Sequence, residues 1–593
     1  MKKQNTNPII TMIKTEWQHL GSNKKWFLFY VFLFVIASLF NLISPWLIGT
    51  IFNSIQSGQI NTEPELFHLF FMISMLFVIE LGFWAFHGVA RIMEILIGFN
   101  THKNYTNDKI RKTLELPIKW HKDNHSGNTI DRINKSRLSL ATYTQHESFK
   151  IISIALNIFG SLALIFFVNV RIGIFALTSC LVILSIAMSL DKKVKISYKE
   201  VNKYEHQLSA SIFDYFSNIM TVITLRLKKV VRKKLDEKIK ISYDAHKKAT
   251  YLMTIKWGFA KLAIVLMTVL ALIYQSYTDF HTTGIILIGT LFILYSYLDK
   301  VGKAFFDFAQ IYGSMTKKAA DIEASEPIDR AFNKIEEKTK AHLPKDWNQI
   351  QIKNLDFTYN SEGNIQHIDN IDFSFKRGQK IALIGESGSG KSTILTLLRG
   401  LYPPQKGNIF CDNKELKHGI ETLKRSITLI PQDPEIFNET IRYNITMDMF
   451  SNKKDLDKAI QMAQFSEVVR RLEKGVDTNV QEKGVSLSGG EKQRLALTRG
   501  LLAAKDSDII LLDEPTSSVD SINEKKIHNN IFKEFKEKTI ISSIHRLHLL
   551  DKFDHIYMFD KGKIITQGTF KEIKENPKFK IIWQKYTGSM KNN

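Results

Sequence analysis

Cysteine is almost missing from this chain. The two in 593 residues, Cys180 and Cys411, fall in regions of different composition, which excludes a disulfide framework and a cysteine-built zinc site. Proline is sparse, with 12 in all. It and glycine are few in the long charged stretches of the first half, which therefore read as helical. No internal repeat and no low-complexity tract stands out. A secretory signal is not expected either. The first apolar stretch, about residues 26–48, is too long for a signal h-region and lacks a small-residue cleavage site. It reads as a retained membrane helix.

Acidic residues are outnumbered: 59 Asp and Glu stand against 81 Lys and Arg, a net charge of +22. Such an excess can mark nucleic-acid binding. Here the basic residues cluster in loops beside apolar stretches, as the positive-inside rule expects of a membrane protein, and nucleic acid is not an expected partner. The composition is split. The first ~320 residues carry long runs of Phe, Ile and Leu, and the rest reads as a soluble α/β domain.

Stretches 26–48, 66–90, 151–170, 172–190, 258–277 and 284–304 are each long enough to cross a bilayer core of ~30 Å, which takes about 20 helical residues. The last is interrupted by Asp299, Lys300 and Lys303. Lys and Arg are abundant before the first span and in the connections 91–148 and 191–257. The opposite connections hold essentially Arg171 alone. Both termini are therefore expected in the cytoplasm. A continuous helix from Leu66 to Leu116 would run about 75 Å, well beyond the membrane. Pro117 and the run Asp123-Asn124-His125-Ser126-Gly127-Asn128 should break it, and a second break is expected near Ser211–Met220.

Glu80 falls near the middle of the second span. A carboxylate there is costly and is expected to face the helix bundle rather than lipid. With Phe83, Trp84 and His87 nearby it suits a cationic amphiphile. A purely structural role, hydrogen-bonded to Asn41 or Asn157, fits equally well. Lys261 reads as a snorkelling side chain. The Asp299–Lys303 and Lys303–Asp307 spacings permit helical ion pairs.

The second half carries a phosphate-binding pattern in its proper context. A short apolar strand, Lys380-Ile381-Ala382-Leu383-Ile384, runs into Gly385-Glu386-Ser387-Gly388-Ser389-Gly390-Lys391-Ser392-Thr393, and a helix follows. The glycines let backbone N–H groups converge on phosphate oxygens at a helix N-terminus. Lys391 should reach the β- and γ-phosphates, and Ser392 should ligate Mg²⁺. The apolar run Ile509-Ile510-Leu511-Leu512 reads as a strand buried on both faces. It ends in Asp513, a second metal candidate, and Glu514, a candidate general base for the attacking water.

Between these motifs lies Leu487-Ser488-Gly489-Gly490-Glu491. It resembles the signature of ATP-binding-cassette proteins. With Gln432 before it and His545 after the acidic pair, the order and spacing are those of an ABC exporter half-transporter, of the bacterial multidrug and lipid exporter kind (type IV fold). The resemblance implies an all-α transmembrane domain of six helices with long cytoplasmic extensions, followed by an α/β phosphate-loop ATPase domain. The expected division is 1–320, a linker at 321–345, and 346–590. Roles follow from the resemblance: Tyr359 stacks on adenine, Gln432 touches Mg²⁺, His545 contacts the γ-phosphate, and Ser517-Ser518-Val519-Asp520 crosses a dimer interface. Glu482 and Gly484 match a cross-loop, in which Gln481 replaces a usual Gly. The tip around Leu116-Pro117, Ser126-Gly127 and Asp131-Arg132 is similar to a coupling helix. Glu491 stands where Gln is usual, and Asn413 where a turn glycine is usual. The ~25 residues before the first span leave no room for the peptidase domain some peptide exporters carry.

In this family Ser488, Gly489 and Gly490, with Glu491 beside them, serve the nucleotide held by the other subunit. A dimer is implied, and intact motifs favour a homodimer over a heterodimer with a degenerate partner. The expected function is ATP-driven export of a small or amphiphilic substrate across the bacterial cytoplasmic membrane, with Mg²⁺ and membrane lipid as companions. An importer on the same fold, or a membrane-tethered ATPase regulating a partner, are the alternatives. Substrate is not readable from these motifs.

Overall fold

The computed structural model describes residues 7–58, 60, 62–124, 126–335, 342–359, 366–433, 435–449, 452–480 and 487–590. It divides into two compact units. One comprises Met1–Glu115 with Ser126–Phe332, the other Leu116–His125 with Asn333–Asn593.

The first unit is helical. A short helix, α1 (Pro8–His19), precedes α2 (Lys24–Gln56) and α3 (Glu63–Glu115). At 53 residues, α3 is about 80 Å long. It stops where Leu116-Pro117 denies it further backbone hydrogen bonds. The chain then forms α4 (Ile118–Asp123), which groups with the second unit, and returns through α5 (Ser126–His146). Next come α6 (Ser148–Val168) and α7 (Val170–Ser217), then the short α8 (Ile219–Thr224), α9 (Lys228–Thr283) and α10 (Ile288–Phe332). The second break, expected near 211–220, falls at Asn218 and continues through α8. The segment 321–332, expected as linker, is still helix, because Pro327 is accommodated within α10.

Among the described residues four helices, counting the stretch Gly21–Gln56, α3, α6 and α9, are long and apolar enough to cross a membrane, and Val170–Ile186 forms a shorter apolar helix. The α10 stretch is not among them, since Asp299, Lys300 and Lys303 break its apolar run. Only 6 % of the most apolar window of α3 is buried, and Phe67, Phe70, Phe77, Leu81 and Trp84 stand exposed. Such a surface is stable in lipid, not in water. Helices approach closely where side chains are smallest. A Cβ on Gly289 of α10 would lie 1.9 Å from the Gly49 carbonyl oxygen of α2. The Gly289 N–H donates to Asn53 Oδ1 at 2.9 Å across the same contact.

Glu80 departs from expectation. It is exposed in this unit, with no described hydrogen bond or ion pair, while its neighbour Ile79 is buried. The amides proposed as its partners are otherwise engaged. Asn41 accepts from Lys300 Nζ at 2.5 Å, and Asn157 donates to Ser153 Oγ at 3.5 Å. Lys303 pairs with Asp299 at 2.6 Å rather than with Asp307.

The second unit holds two sheets. The first is antiparallel, in the order β2 (Ile368–Lys376), β1 (Gln349–Phe357), β4 (Lys406–Cys411) and β5 (Lys414–Glu415). In the second, β10 (Lys563–Gly568) and β9 (His555–Asp560) form an antiparallel edge. Then follow, all parallel, β3 (Lys380–Ile384), β8 (Thr539–Ser543), β7 (Ile509–Asp513) and β6 (Ile427–Ile430). Every residue of β3, β7 and β8 is buried, as continuous apolar runs in a covered parallel sheet require. Their C-terminal ends open on one edge, where α/β sheets place their ligands.

Candidate functional site

The phosphate loop leaves β3 at Ile384 and enters α11 (Lys391–Leu398). Gly385 has φ +145° and Gly390 φ +110°. A Cβ on Gly385 would sit 2.3 Å from the Phe559 carbonyl oxygen, so no other residue fits the loop's first position. Lys391 Nζ donates to the Gly385 and Glu386 carbonyls, both at 2.9 Å. Burial lowers its pKa, against the opposing pull of Glu514 and then Asp513. The Ser389 hydroxyl is buried inside the same loop with no described partner. An ammonium curled back on loop carbonyls and an orphaned hydroxyl are donors waiting for anionic oxygens. The loop fits a nucleotide phosphate.

Strand register builds the rest. Asp513 and Ser543 are paired across β7 and β8. Asp513 Oδ1 accepts from Ser392 Oγ at 2.9 Å and from Ser543 Oγ at 2.8 Å. Ser543 Oγ in turn accepts the Glu514 N–H at 2.9 Å. Glu514 has φ +46°, a left-handed conformation unusual for a non-glycine residue. Its carboxylate is gripped on both oxygens: Gln432 Nε2 donates to Oε2 at 2.7 Å, and His545 Nε2 meets Oε1 at 2.5 Å. Five residues from four motifs, Ser392, Gln432, Asp513, Glu514 and His545, are thus joined in one network through Ser543.

Ser543 and Gln493 were not anticipated. Gln493 donates to the Glu514 carbonyl at 3.2 Å and to Ser517 Oγ at 2.8 Å, and accepts the Ser518 N–H at 2.7 Å. It ties the helix after the signature to the loop at 517–520. Its position two residues beyond Glu491, and that of Ser543 two before His545, were the only available signals.

Ser488 caps α12 (Gly489–Ala503), with Glu491 closing a capping box. The Glu491 carboxylate accepts the Ser488 N–H at 2.8 Å and Arg471 Nη2 at 2.6 Å. It is spent on holding the signature in shape, which gives the departure from Gln a physical reason. Ser488's described hydrogen bonds stay within this cap. Gly490 lies against Ser518, whose carbonyl oxygen would be 2.7 Å from an added Cβ. The cross-loop residues Gln481, Glu482 and Gly484 lie outside the described residues.

Tyr359 is half-buried in an aromatic nest. Its ring centroid is 4.8 Å from Phe357, 4.9 Å from His367 and 5.1 Å from Tyr402. Helix α4 docks beside it. Ile118 packs on the core under the antiparallel sheet, and Lys122 Nζ lies 5.8 Å from the Tyr359 ring and 5.4 Å from the Tyr402 ring. The Tyr402 hydroxyl raises the Lys122 pKa, against a smaller cost of burial.

Residues 27–301 match the family of ABC transporter transmembrane regions, and residues 368–517 match the ABC transporter family. The chain belongs to the ABC transporters. A Rickettsia prowazekii protein named as an export ATP-binding/permease protein is 26% identical over 546 residues, covering 89% of this chain and 92% of that protein. An ATP-dependent lipid A-core flippase of Photobacterium profundum is 37% identical over 228 residues, 38% of each chain. The solved structure of a bacterial Atm1-family ABC exporter with ATP bound superimposes with a TM-score of 0.81 at 20% identity, covering 95% of this chain and 98% of that one. This ABC transporter is an integral membrane half-transporter of the exporter type. Its helical membrane region is followed by an ATPase domain that uses ATP, and hydrolysis is coupled to transport.

Proposed function

We propose that this ABC transporter works as a homodimer with two ATP sites shared between chains. It would move a small or amphiphilic substrate out of the cytoplasm by alternating access, with both termini and the ATPase domain on the cytoplasmic side of the bacterial cytoplasmic membrane. The observation that carries the reading is the Glu514 network. A carboxylate in a strained backbone position is held between Gln432 and His545, one residue from the Asp513 that grips the phosphate-loop Ser392.

Lys391 and Ser389 bind the phosphates and, with the loop N–H groups, hold them at the α11 N-terminus. Ser392, Asp513 and Gln432 would hold Mg²⁺, which would supply charge neutralisation to the phosphates. Glu514 accepts the proton of the attacking water, and His545 fixes the carboxylate and bonds the terminal phosphate. Tyr359 receives the adenine. Ser488, Gly489 and Gly490 sit at the N-terminus of α12, where unpaired N–H groups favour an anion brought by a second chain. One chain carries one such end and one phosphate loop, so two chains give two complete sites.

The test pairs Lys391→Ala with Ser488→Ala. Each variant alone should lose ATPase activity. Purified heterodimers of the two contain one intact composite site and should regain activity. Heterodimers no more active than either parent would refute independently working shared sites. ATP-driven movement of labelled substrate into inside-out vesicles, rather than out of them, checks the direction.

A further inference from the structure

A polar cavity of about 230 Å³ opens between α6 and α10 in the helical unit. Its polar wall is Lys150, Ser153 and Asn157 from α6 and Asp307 and Gln310 from α10. Its apolar wall is Phe149, whose ring packs on Phe34 at 4.0 Å, and the buried Ile154 and Ile311.

Two exposed, opposite charges line this space, and neither has an ion-pair partner among the described residues. Helical spacing offers Asp307 a mate in Lys303, one turn earlier. Lys303 instead pairs with Asp299 at 2.6 Å, the acid-before-base order that helices favour. Lys150, in the first turn of α6, has the Glu147 carboxylate three residues earlier, at the helix N-cap. Glu147 instead receives Lys318 at 2.7 Å and Ser314 at 3.2 Å, both on Oε1, while its buried Oε2 has no described partner and Lys150 does not reach it. Among the described residues neither Asp307 nor Lys150 forms an ion pair, and they do not pair with each other across the cavity. Both lie just beyond the apolar stretches, at 151–170 and 284–304, on the side read as cytoplasmic. There a charge costs less than at mid-bilayer, and the two stand on facing helices at one cavity, close enough to be met by one small ligand.

We propose that this cavity binds a zwitterionic group, with a cationic nitrogen at Asp307 and an anionic phosphate or carboxylate at Lys150. Asn157 and Gln310 complete the hydrogen bonds, and the Phe149 ring supports the cation. The volume suits a lipid headgroup or an amino-acid-sized solute, and lies below the ~300 Å³ at which drug-sized pockets begin. This names a substrate class for the transporter proposed above and rests on that reading.

Full-length protein in phosphatidylglycerol nanodiscs is titrated with glycerophosphoethanolamine, ethanolamine or glycerol phosphate while ATP hydrolysis is followed. A second set of discs carries phosphatidylethanolamine instead of a soluble probe. The zwitterion should stimulate at lower concentration than either half-molecule. A response to the soluble probe marks a solute, and a response only to the intact lipid marks a headgroup. Asp307→Asn and Lys150→Gln should each raise the half-stimulating concentration about tenfold, the loss of one charge-assisted contact. Exchanging the charges, Asp307→Lys with Lys150→Asp, should restore most of the response. The proposal is overturned if the wild-type protein answers to zwitterion and half-molecules alike, a comparison that needs no variant to fold. It is also overturned if both single variants respond as wild type does. Intact basal hydrolysis with no zwitterion response sinks the cavity's role alone. Absent basal hydrolysis counts against the ATPase assignment.

Discussion

Removing the Ser543 hydroxyl tests whether strand register positions the general base. Ser543 is 1 % exposed at the end of β8. It donates to Asp513 Oδ1 at 2.8 Å and accepts the Glu514 N–H at 2.9 Å. Ser543→Ala deletes a hydrogen bond to a charged group, about 1.5–3 kcal/mol, and leaves the part-buried Glu514 N–H unpaired, about 1 kcal/mol or more. Relaxation recovers part of this, so a net loss of about 3 kcal/mol is expected. That N–H belongs to a residue with φ +46°, a conformation that persists only while its surroundings enforce it. Freed of one restraint, the Glu514 carboxylate should drift by ~1 Å, enough to cost about 10²-fold in rate. The assay is steady-state ATP hydrolysis by purified protein in nanodiscs, with thermal unfolding followed alongside. A fall in kcat with little change in KM marks positioning, and Ser543→Thr, which keeps the hydroxyl, should recover most of the rate. If Ser543→Ala hydrolyses ATP within twofold of wild type, the hydroxyl does not position Glu514 and the reasoning fails.

Glu514→Gln should retain ATP binding and lose about 10²–10⁴ in turnover, accumulating as an ATP-bound dimer; near-normal turnover would remove Glu514 from the role of base. Glu491→Ala should destabilise the ATPase domain by about 1–2 kcal/mol through loss of the capping box and the Arg471 contact, read as a lower unfolding midpoint. His528 is buried with neither ring nitrogen partnered among the described residues, and burial, helped by Lys552 and His548, pushes its pKa down to about 4. The unfolded chain binds this proton below about 6.5 while the folded chain refuses it. Stability is therefore complete above that pH and falls by about 3 kcal/mol as the pH drops toward 4. A His528→Leu variant should show a flatter loss of unfolding midpoint between pH 7 and pH 4.5, and an unchanged slope would exclude His528 as a cause.

The sequence by itself determined what depends on neighbours along the chain. A phosphate loop needs its glycines, lysine and serine consecutive, because one backbone turn wraps one phosphate group. The buried strand before Asp513, the apolar spans and the break at Pro117 are local for the same reason. They were legible as runs and punctuation.

What the tertiary structure decided depends on pairing across distance. Register alone sets Ser543 opposite Asp513, and no spacing along the chain encodes it. Glu491 departs from the usual residue because a cap and Arg471, 20 positions away, both use its carboxylate. Glu80 was expected to face the bundle on grounds of cost, yet the face α3 presents at that residue is the exposed one. Asp307 looked like half of a bland helical pair with Lys303, and nothing along the chain singled out Lys150. Folding gave Lys303 to Asp299 and Glu147 to Lys318, and so left two opposite charges at one cavity. A residue's possible partners are written in its sequence neighbourhood. Which of them it obtains is settled only when every competing group has been packed.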